Sequence, residues 1–452
     1  MTLETLREET PGTQDVLHFN NAGAALPPQP VVDAQIRHLQ REARIGGYEA
    51  AADAADALED TYAALADMLG CGTDEVALVE NATRAWDMAF YGMDFDAGDR
   101  ILTSRAAYAS NYIAFLQVAE RTGAQVDVVP STDTGEIDVN ALRETIDDRV
   151  RLIALTHIPT NGGLVHPAAD VGAIAADAGV PFLLDACQSA GQRPLPVDDL
   201  QCTMLSGTGR KYLRGPRGTG FLYVDRNWIE RIEPPLLDLY AATWTSPDTY
   251  EIRPDARRFE TFESHVAGQV GLGVAVRYAL NLGLDAIRER VTALAETLRT
   301  ALAAVDGVTV ADTGRVRSGI TTFYAEHMEA PEIQAALRER DVNTSVSTPS
   351  STRLDAEARH LPDLVRASVH YYNTASPVRS GAVAPRPAGG LRRMGRLHDA
   401  EPAAEHPFDS AGRCLRSLSP RFPLPSCLLP TAFCSIFAMP QMSALGASST
   451  IP

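Results

Sequence analysis

Segments that look like buried strands alternate with helix-like segments along the first 374 residues of the chain. Residues 152–155 and 182–184 are short, wholly apolar runs, which is typical of strands covered on both faces. Alanine-rich segments of helical spacing, such as residues 167–178, lie between these runs. The alternation predicts an α/β fold in which a mostly parallel sheet is sandwiched by helices.

The pattern changes near residue 265 and indicates a second domain. Two long helical segments occupy residues 268–305, and strand-like alternation follows them. We expect a large domain over residues 20–265 and a smaller α+β domain built from residues 1–19 and 266–374.

Residues 375–452 differ in composition from the rest of the chain. They contain 11 of the 29 prolines and eight arginines against four acidic residues, and no helical or strand period persists in them. One interpretation is a disordered, proline-rich tail. Because composition and charge sign change abruptly at Thr374, we favour translation in a wrong frame. We expect neither a fold nor chemistry from this non-globular tail.

Composition narrows the class of protein. A net charge of −18 and a pI near 5.0 argue against a nucleic-acid-binding surface, which needs clustered basic side chains. No signal peptide and no run of about 18 apolar residues is visible, so we expect a cytoplasmic protein that does not contact a membrane. The six cysteines form no CxxC pair, so neither a disulfide framework nor a zinc site is indicated. The acidic, lysine-poor composition suggests a halophilic source.

The chain has a single lysine, Lys211, among 40 lysine and arginine residues. Arginine stays protonated in proteins, whereas a desolvated lysine amine can lose its proton and form a Schiff base with a carbonyl. Lys211 lies in the glycine-rich stretch Ser206-Gly-Thr-Gly-Arg-Lys211-Tyr-Leu-Arg-Gly-Pro-Arg-Gly-Thr-Gly220. The stretch is not a P-loop, because tyrosine follows the lysine where serine or threonine is required. We therefore interpret Lys211 as catalytic.

Two further elements suit a site for pyridoxal 5′-phosphate (PLP). The apolar run at residues 182–184 delivers Asp185 at its carboxyl end, where ligands bind in open α/β sheets. The segment Glu80-Asn-Ala82-Thr83 joins a strand to a helix, and free backbone N–H groups at such a junction form a phosphate seat. A lysine, an anion seat and an acid that keeps the pyridine nitrogen protonated together suit PLP.

These motifs resemble the class V aminotransferase family of fold-type I PLP-dependent enzymes, which includes cysteine desulfurases, isopenicillin N epimerase-like proteins and C–S lyases. The resemblance covers residues 17–374 and assigns roles to matching positions. They are Asn21 in the substrate segment His18-Phe-Asn-Asn-Ala-Gly23, Asp185 on the pyridine nitrogen, Gln188 near the ring oxygen, Lys211 in the Schiff base, Thr83 with Ala82 and Ser206 at the phosphate, Arg210 in place of a phosphate-binding histidine, and Arg366 on the substrate carboxylate.

The chain departs from the family pattern in three places. Tyr108 stands near the position of the ring-stacking aromatic residue, which is histidine in the desulfurases. Residues 344–351 are rich in serine and threonine where desulfurases carry the cysteine that forms a persulfide. Glu263 replaces a threonine that contacts the partner subunit's phosphate in relatives. The resemblance therefore implies a desulfurase-like site without persulfide transfer through that loop.

Three polar residues near these motifs have open roles. Asn161 follows a buried strand and is a candidate cofactor contact, whereas we interpret His157 as structural. Cys187 lies beside Asp185 and could act as a nucleophile, although a small buried cysteine is the simpler role.

The resemblance implies an enzyme that acts on a small amino acid, with Lys211 moving the Cα proton. We expect an aminotransferase and a homodimer. A C–S lyase, a desulfurase-like enzyme or an amino-acid epimerase would use the same residues. An alternative from another class is an inactive remnant of the fold, because a disrupted C-terminus would remove a helix that the small domain normally has.

Overall fold

The computed structural model of the protein describes residues 2–375. The expected C-terminal tail therefore lies, apart from Ala375, outside the described residues. Everything that follows concerns the described part of the chain.

The strands form two larger sheets and two short pairs. They are β1 (Leu17–His18), β2 (Val76–Val79), β3 (Arg100–Ser104), β4 (Gln125–Val129), β5 (Val150–Thr156), β6 (Phe182–Asp185), β7 (Met204–Thr208), β8 (Gly220–Val224), β9 (Ala242–Ser246), β10 (Thr249–Ile252), β11 (Val308–Val310), β12 (Ile320–Ala325), β13 (Val342–Asn343), β14 (Ser345–Ser347) and β15 (Leu364–Ser368).

The helices lie between these strands and beside them. They are α1 (Leu3–Glu8), α2 (Gln29–Ile45), α3 (Gly47–Asp53), α4 (Ala55–Leu69), α5 (Ala82–Phe90), α6 (Ala109–Thr122), α7 (Val139–Thr145), α8 (Ala168–Ala178), α9 (Val197–Leu200), α10 (Val266–Leu282), α11 (Leu284–Ala303), α12 (Ala330–Arg338) and α13 (Arg353–Ala358).

The segment from residue 31 to 69, which has one continuous helical pattern, divides into three helices. Gly46 separates α2 from α3 with a φ of 101°, a conformation that favours glycine. No single helix among residues 2–375 is long and apolar enough to cross a membrane. The pair α10 and α11 passes that test together but is bent by 81°.

The large sheet has the strand order β2-β8-β7-β6-β5-β3-β4. Its strands run parallel except β8, which is antiparallel to both β2 and β7. One apolar core packs α4 and α8 against one face, and a second packs α5 and α6 against the other. The predicted α/β architecture with a mostly parallel, doubly covered sheet is therefore confirmed.

The smaller sheet is antiparallel and has the order β11-β12-β15-β14. Its own apolar core includes side chains of α1 and α11. The α10 helix contributes Leu272 to the core of the large sheet and Leu282 to that of the smaller sheet. This helix therefore joins the two parts, and the exact boundaries at residues 19 and 265 stay a prediction.

The carboxyl ends of β3, β5, β6 and β7 meet at one edge of the large sheet, because these strands are parallel neighbours. The segment after β1 contacts both sheets: Asn20 forms an isolated bridge with Ser368 at the end of β15, and the Gly23 carbonyl accepts a hydrogen bond from Arg210 in the loop after β7. Two sheets and an N-terminal segment thus converge on one cleft.

Candidate active site

Lys211 lies in the loop that follows β7 and is only partly exposed. Its amine makes no hydrogen bond or ion pair within residues 2–375. Burial lowers the pKa of Lys211 most, and the cations Arg210 and Arg366 act in the same direction. A lowered pKa increases the fraction of neutral amine, which is the form that attacks carbonyls and accepts protons.

Asp185 ends β6 and is 4% exposed. Its Oδ1 accepts a hydrogen bond from the Cys187 N–H at 2.9 Å, and its Oδ2 accepts one from Asn111 Nδ2 at 2.9 Å. Each oxygen keeps a free lone pair, so the carboxylate can still accept a hydrogen bond from a protonated ring nitrogen. Sequence reasoning missed Asn111, whose only signal was its place three residues after Tyr108.

Cys187 and His157 are placed as expected for structural residues. Burial raises the pKa of the Cys187 thiol, which leaves it in its weakly nucleophilic, protonated form. His157 is buried, its Nδ1 lies 3.1 Å from Ser189 Oγ, and burial holds its pKa well below the usual value. Neither side chain has the character of a nucleophile or base at neutral pH.

The start of α5 offers an anion seat. Asn81 caps the helix by accepting from the Arg84 N–H at 2.9 Å, while the N–H groups of Ala82 and Thr83 have no partner within the described residues. Gly220 lies so close to this turn that a Cβ there would fall 2.6 Å from the Asn81 carbonyl carbon. Free N–H groups at a helix N-terminus favour a phosphate.

Strand register separates two hydroxyl residues of β7. Thr208 pairs with Gly220 and so lies beside the start of α5, whereas Ser206 pairs with Asp185 two residues deeper in the sheet. Ser206 Oγ is buried without a partner. This geometry favours Thr208 rather than Ser206 as a phosphate contact.

Arg210, Gln188 and Tyr108 surround the lysine loop. Arg210 Nη1 donates to the Gly23 carbonyl, which ties the loop to the N-terminal segment. Gln188 Nε2 donates to the Ala22 carbonyl at 3.1 Å, and its Oε1 is buried without a partner. Tyr108 precedes α6 and is half-buried. Their roles at the cofactor stay predictions, and Arg210 is engaged by the chain itself.

Arg366 brings a buried cation into the cleft from β15. Its Nη1 donates to Thr160 Oγ1 at 2.6 Å and its Nη2 to Asn20 Oδ1 at 3.4 Å, while Nε is buried without a partner. No carboxylate within residues 2–375 forms an ion pair with it. Burial lowers the pKa of Arg366. A buried guanidinium with a vacant donor suits an incoming carboxylate.

Asn21 and Asn161 are both buried and hydrogen-bonded to the smaller domain. Asn21 is fully buried and donates to the Ser368 carbonyl at 2.7 Å, so its amide is used within the protein. Asn161 Nδ2 donates to the Thr348 carbonyl at 3.0 Å and to Thr352 Oγ1 at 3.1 Å, while its Oδ1 is buried without a partner, so its role as a cofactor contact stays a prediction. The adjacent residues, Asn20 and Thr160, are the ones that contact Arg366.

The Ser/Thr-rich segment at residues 344–352 is hydrogen-bonded to the residues around the cleft. It includes β14, and the Asn161 amide holds its end. Glu263 is exposed and lines a small cavity with Glu80 and Arg84 beside the start of α5. An acid at that position adds no attraction for a phosphate.

The residues of this cleft fit PLP. Lys211 supplies an unpartnered amine, Asp185 a carboxylate with free lone pairs, and the start of α5 two vacant N–H groups. Gln188 Oε1 and Ser206 Oγ, from residues close to Asp185 in sequence and in the sheet respectively, are also buried without partners. Such unsatisfied groups are costly unless a ligand completes them.

Comparison with known proteins gives a consistent result. The family described as aminotransferase class-V matches residues 17–380. A probable cysteine desulfurase of Methanothermobacter thermautotrophicus is 27% identical over 388 residues, which cover 84% of this chain and 96% of the relative. A probable cysteine desulfurase of Halobacterium salinarum is 28% identical and covers 82% of this chain and 91% of its own length.

Solved structures share the fold. The apo cysteine desulfurase of Thermococcus onnurineus NA1 has a TM-score of 0.76 at 25% identity, covering 82% of this chain and 94% of that one. The cystine C–S lyase C-DES, in complex with cysteine persulfide, has a TM-score of 0.71 at 22% identity, covering 80% and 95%. The chain belongs to the class-V aminotransferase family, and it is an enzyme whose cofactor is PLP.

Proposed function

We propose that the protein is a PLP-dependent lyase that cleaves the Cβ–S bond of a small sulfur-containing amino acid. The observation that carries this proposal is the make-up of the fixed segment at residues 344–352, which has no cysteine although the relatives are named cysteine desulfurases. The three thiols of the described chain are Cys71, Cys187 and Cys202. Of these, Cys187 alone lies at the cleft, and its raised pKa opposes a role as persulfide carrier.

Substrate binding rests on Arg366. Its guanidinium pairs with the substrate carboxylate, and Thr160 and Asn20 hold the guanidinium plane. This contact fixes the substrate Cα relative to Lys211, which accepts the Cα proton as general base. When bound, PLP withdraws electrons from Cα through its ring nitrogen, which Asp185 keeps protonated.

The elimination reaction needs no reagent other than the substrate and water. The Cα–H bond breaks, its proton passes to Lys211 and its electron pair forms a Cα=Cβ double bond. The electron pair of the Cβ–S bond leaves with sulfur, which takes up a proton. Water then releases pyruvate and ammonium. Neither a protein thiol nor an external reductant is needed, which agrees with the cysteine-free segment.

Transamination is the second candidate, because it is the reaction in the family's description. It differs from elimination in its products, since the sulfur would stay on the keto acid and an acceptor keto acid would be required. Epimerisation would give the D-amino acid, and a persulfide desulfurase would give alanine.

One assay separates these reactions. The PLP-loaded protein is incubated with cysteine, cystine and S-substituted cysteines, with alanine as the control. We expect pyruvate, ammonium and the sulfur compound in equal amounts, without added keto acid. Alanine with sulfane sulfur, a sulfur-bearing keto acid or a D-isomer would each contradict the proposal. Failure to bind PLP at all would favour an inactive remnant.

We also propose a homodimer. Tyr48 and Phe262 are 76% and 46% exposed and lie 6.5 Å apart, and the hairpin of β9 and β10 exposes Trp244 and Tyr250. Exposed aromatic groups of this size suit a protein interface. Light scattering should give twice the chain mass of 48.6 kDa, and Trp244→Glu should shift it towards one chain. A monomer for the unaltered protein would contradict the dimer.

The strongly acidic composition supports a cytoplasmic enzyme of a salt-rich cell. Screening by salt should weaken the repulsion among the excess carboxylates. The thermal midpoint should therefore rise between low and molar KCl, and a maximum at low salt would contradict a halophilic source.

A further inference from the structure

The first turn of α6 is bound to the ends of two neighbouring strands. The Tyr108 N–H donates to Thr156 Oγ1 at 3.2 Å, and Asn111 Nδ2 donates to Asp185 Oδ2 at 2.9 Å. Thr156 and Asp185 are partners at the carboxyl ends of β5 and β6. This turn therefore links the residue proposed to stack on the PLP ring with the acid that meets its nitrogen.

The direction of the Asn111–Asp185 hydrogen bond follows from chemistry. An ionised carboxylate only accepts, so the NH₂ group of the Asn111 amide must face it. The two residues are 5% and 4% exposed, which leaves little room for water to replace the bond. Together with the Cys187 N–H on Oδ1, this bond fixes the plane of the Asp185 carboxylate.

We propose that Asn111 is a positioning residue for PLP. It orients the Asp185 carboxylate towards the pyridine nitrogen and holds Tyr108 at a set distance from that acid. Asn111 acts through Asp185 rather than on the substrate. The proposal concerns cofactor binding, so it does not depend on which reaction follows.

The test is a PLP titration of the apoprotein, followed by the visible absorbance of the bound cofactor. Because Lys211 is the only lysine, the signal is not complicated by other lysines. Asn111→Leu keeps the number and branching of the side-chain heavy atoms, although it is bulkier, and removes the donor; it should weaken PLP binding about 10-fold. Asn111→Asp is nearly isosteric but repels the Asp185 carboxylate, so it should weaken binding by about a further 10-fold.

Ser110→Ala is the matched control, because Ser110 lies in the same turn and has no hydrogen bond to the site. We expect it to bind PLP like the unaltered protein, and all apoproteins to melt within a few degrees of one another. Unchanged PLP affinity in both Asn111 variants would overturn the proposal. Equal losses in the two variants, matched by equal losses of apoprotein stability, would also overturn it, because they would indicate packing alone.

Discussion

Arg214 and Arg366 are both buried cations without an acidic partner, yet their surroundings differ. Arg214 is 1% exposed and donates to the Leu26 carbonyl, Tyr371 Oη and Thr10 Oγ1 at 2.8, 2.7 and 2.6 Å. Three tyrosine rings also lie around its guanidinium, at 4.6 to 5.8 Å. Arg366 contacts only Thr160 and Asn20 and leaves Nε without a partner.

The difference indicates that Arg214 stabilises the fold, whereas Arg366 is available to bind a ligand. Hydrogen bonds and aromatic faces compensate the desolvation of Arg214, which ties the N-terminal residues to the loop after Lys211 and to the end of the smaller domain. Arg366 lacks such compensation, so its burial costs free energy until an anion arrives. Both arginines are buried, so burial does not distinguish them. The guanidinium whose N–H donors are not all hydrogen-bonded within the protein is the one that we assign to the site.

The largest expected effect on stability comes from Arg214→Leu. The variant leaves two buried hydroxyl acceptors and one half-buried carbonyl without their donor, so the free energy of unfolding should fall by about 3–5 kcal/mol. Chemical denaturation of the apoprotein measures it, with the exposed pair member Arg353→Leu as the control, for which less than about 1 kcal/mol is expected. Equal losses of unfolding free energy in both variants would show that Arg214 does not stabilise the fold more than an exposed arginine does.

Arg366→Leu should give the opposite pattern. Removing an uncompensated buried charge should change the free energy of unfolding by less than about 1 kcal/mol. Loss of the carboxylate contact should lower kcat/KM by about 100-fold or more. Steady-state kinetics with an S-substituted cysteine measures this loss, and the corresponding amine without a carboxylate should react equally with both proteins. An unaltered kcat/KM would remove Arg366 from the site.

Glu260 extends the comparison to a buried acid. Tyr62 Oη and the Leu78 N–H donate to it, and burial raises its pKa to about 8. A raised pKa means that its contribution to stability is complete below pH 4.5 and is lost as pH rises through about 8. The free energy of unfolding should therefore fall by about 2 kcal/mol or more across this range, and Glu260→Gln should flatten the profile. The same slope in the variant would assign the loss to other groups.

The smallest effect is expected from Thr160→Val, which removes the hydroxyl acceptor of Arg366 while keeping the shape. The guanidinium keeps its longer bond to the Thr160 carbonyl, at 3.3 Å, but loses the shorter one to the hydroxyl, so KM should rise about 10-fold with little change in kcat. Thr309→Val, at an exposed position of β11, is the matched control. A larger fall in kcat than rise in KM would indicate that Thr160 acts on the reacting atoms instead.

The fold and the main chemical groups follow from sequence because they depend on strong patterns. Apolar runs of strand length fix the parallel sheet, and Asp185 must then stand at its carboxyl edge. The single lysine needs no structural context to stand out. The break between α2 and α3 at Gly46 has only a weak sequence signal, because a single glycine is tolerated within a helical pattern.

Two predicted site residues have a neighbour of similar polarity that is also placed to contribute: Asn20 beside Asn21, and Thr208 two residues after Ser206. In each case a nearby residue of similar polarity was available, and the sequence does not say which one faces the cleft. Strand register places Thr208 nearer than Ser206 to the start of α5, and long-range hydrogen bonds to Ser368 and Tyr372 engage both ends of the Asn21 amide. Contacts of this kind join segments that are distant in the sequence, so no local sequence pattern predicts them.

The account depends above all on Lys211 as the residue that binds PLP covalently. Borohydride reduction of the PLP-loaded protein, followed by peptide mass spectrometry, tests this directly because the chain offers one lysine. We predict one reduced cofactor per chain, on the peptide that contains Lys211, and none in Lys211→Arg. Attachment only elsewhere, or equal labelling of the variant, would contradict the account.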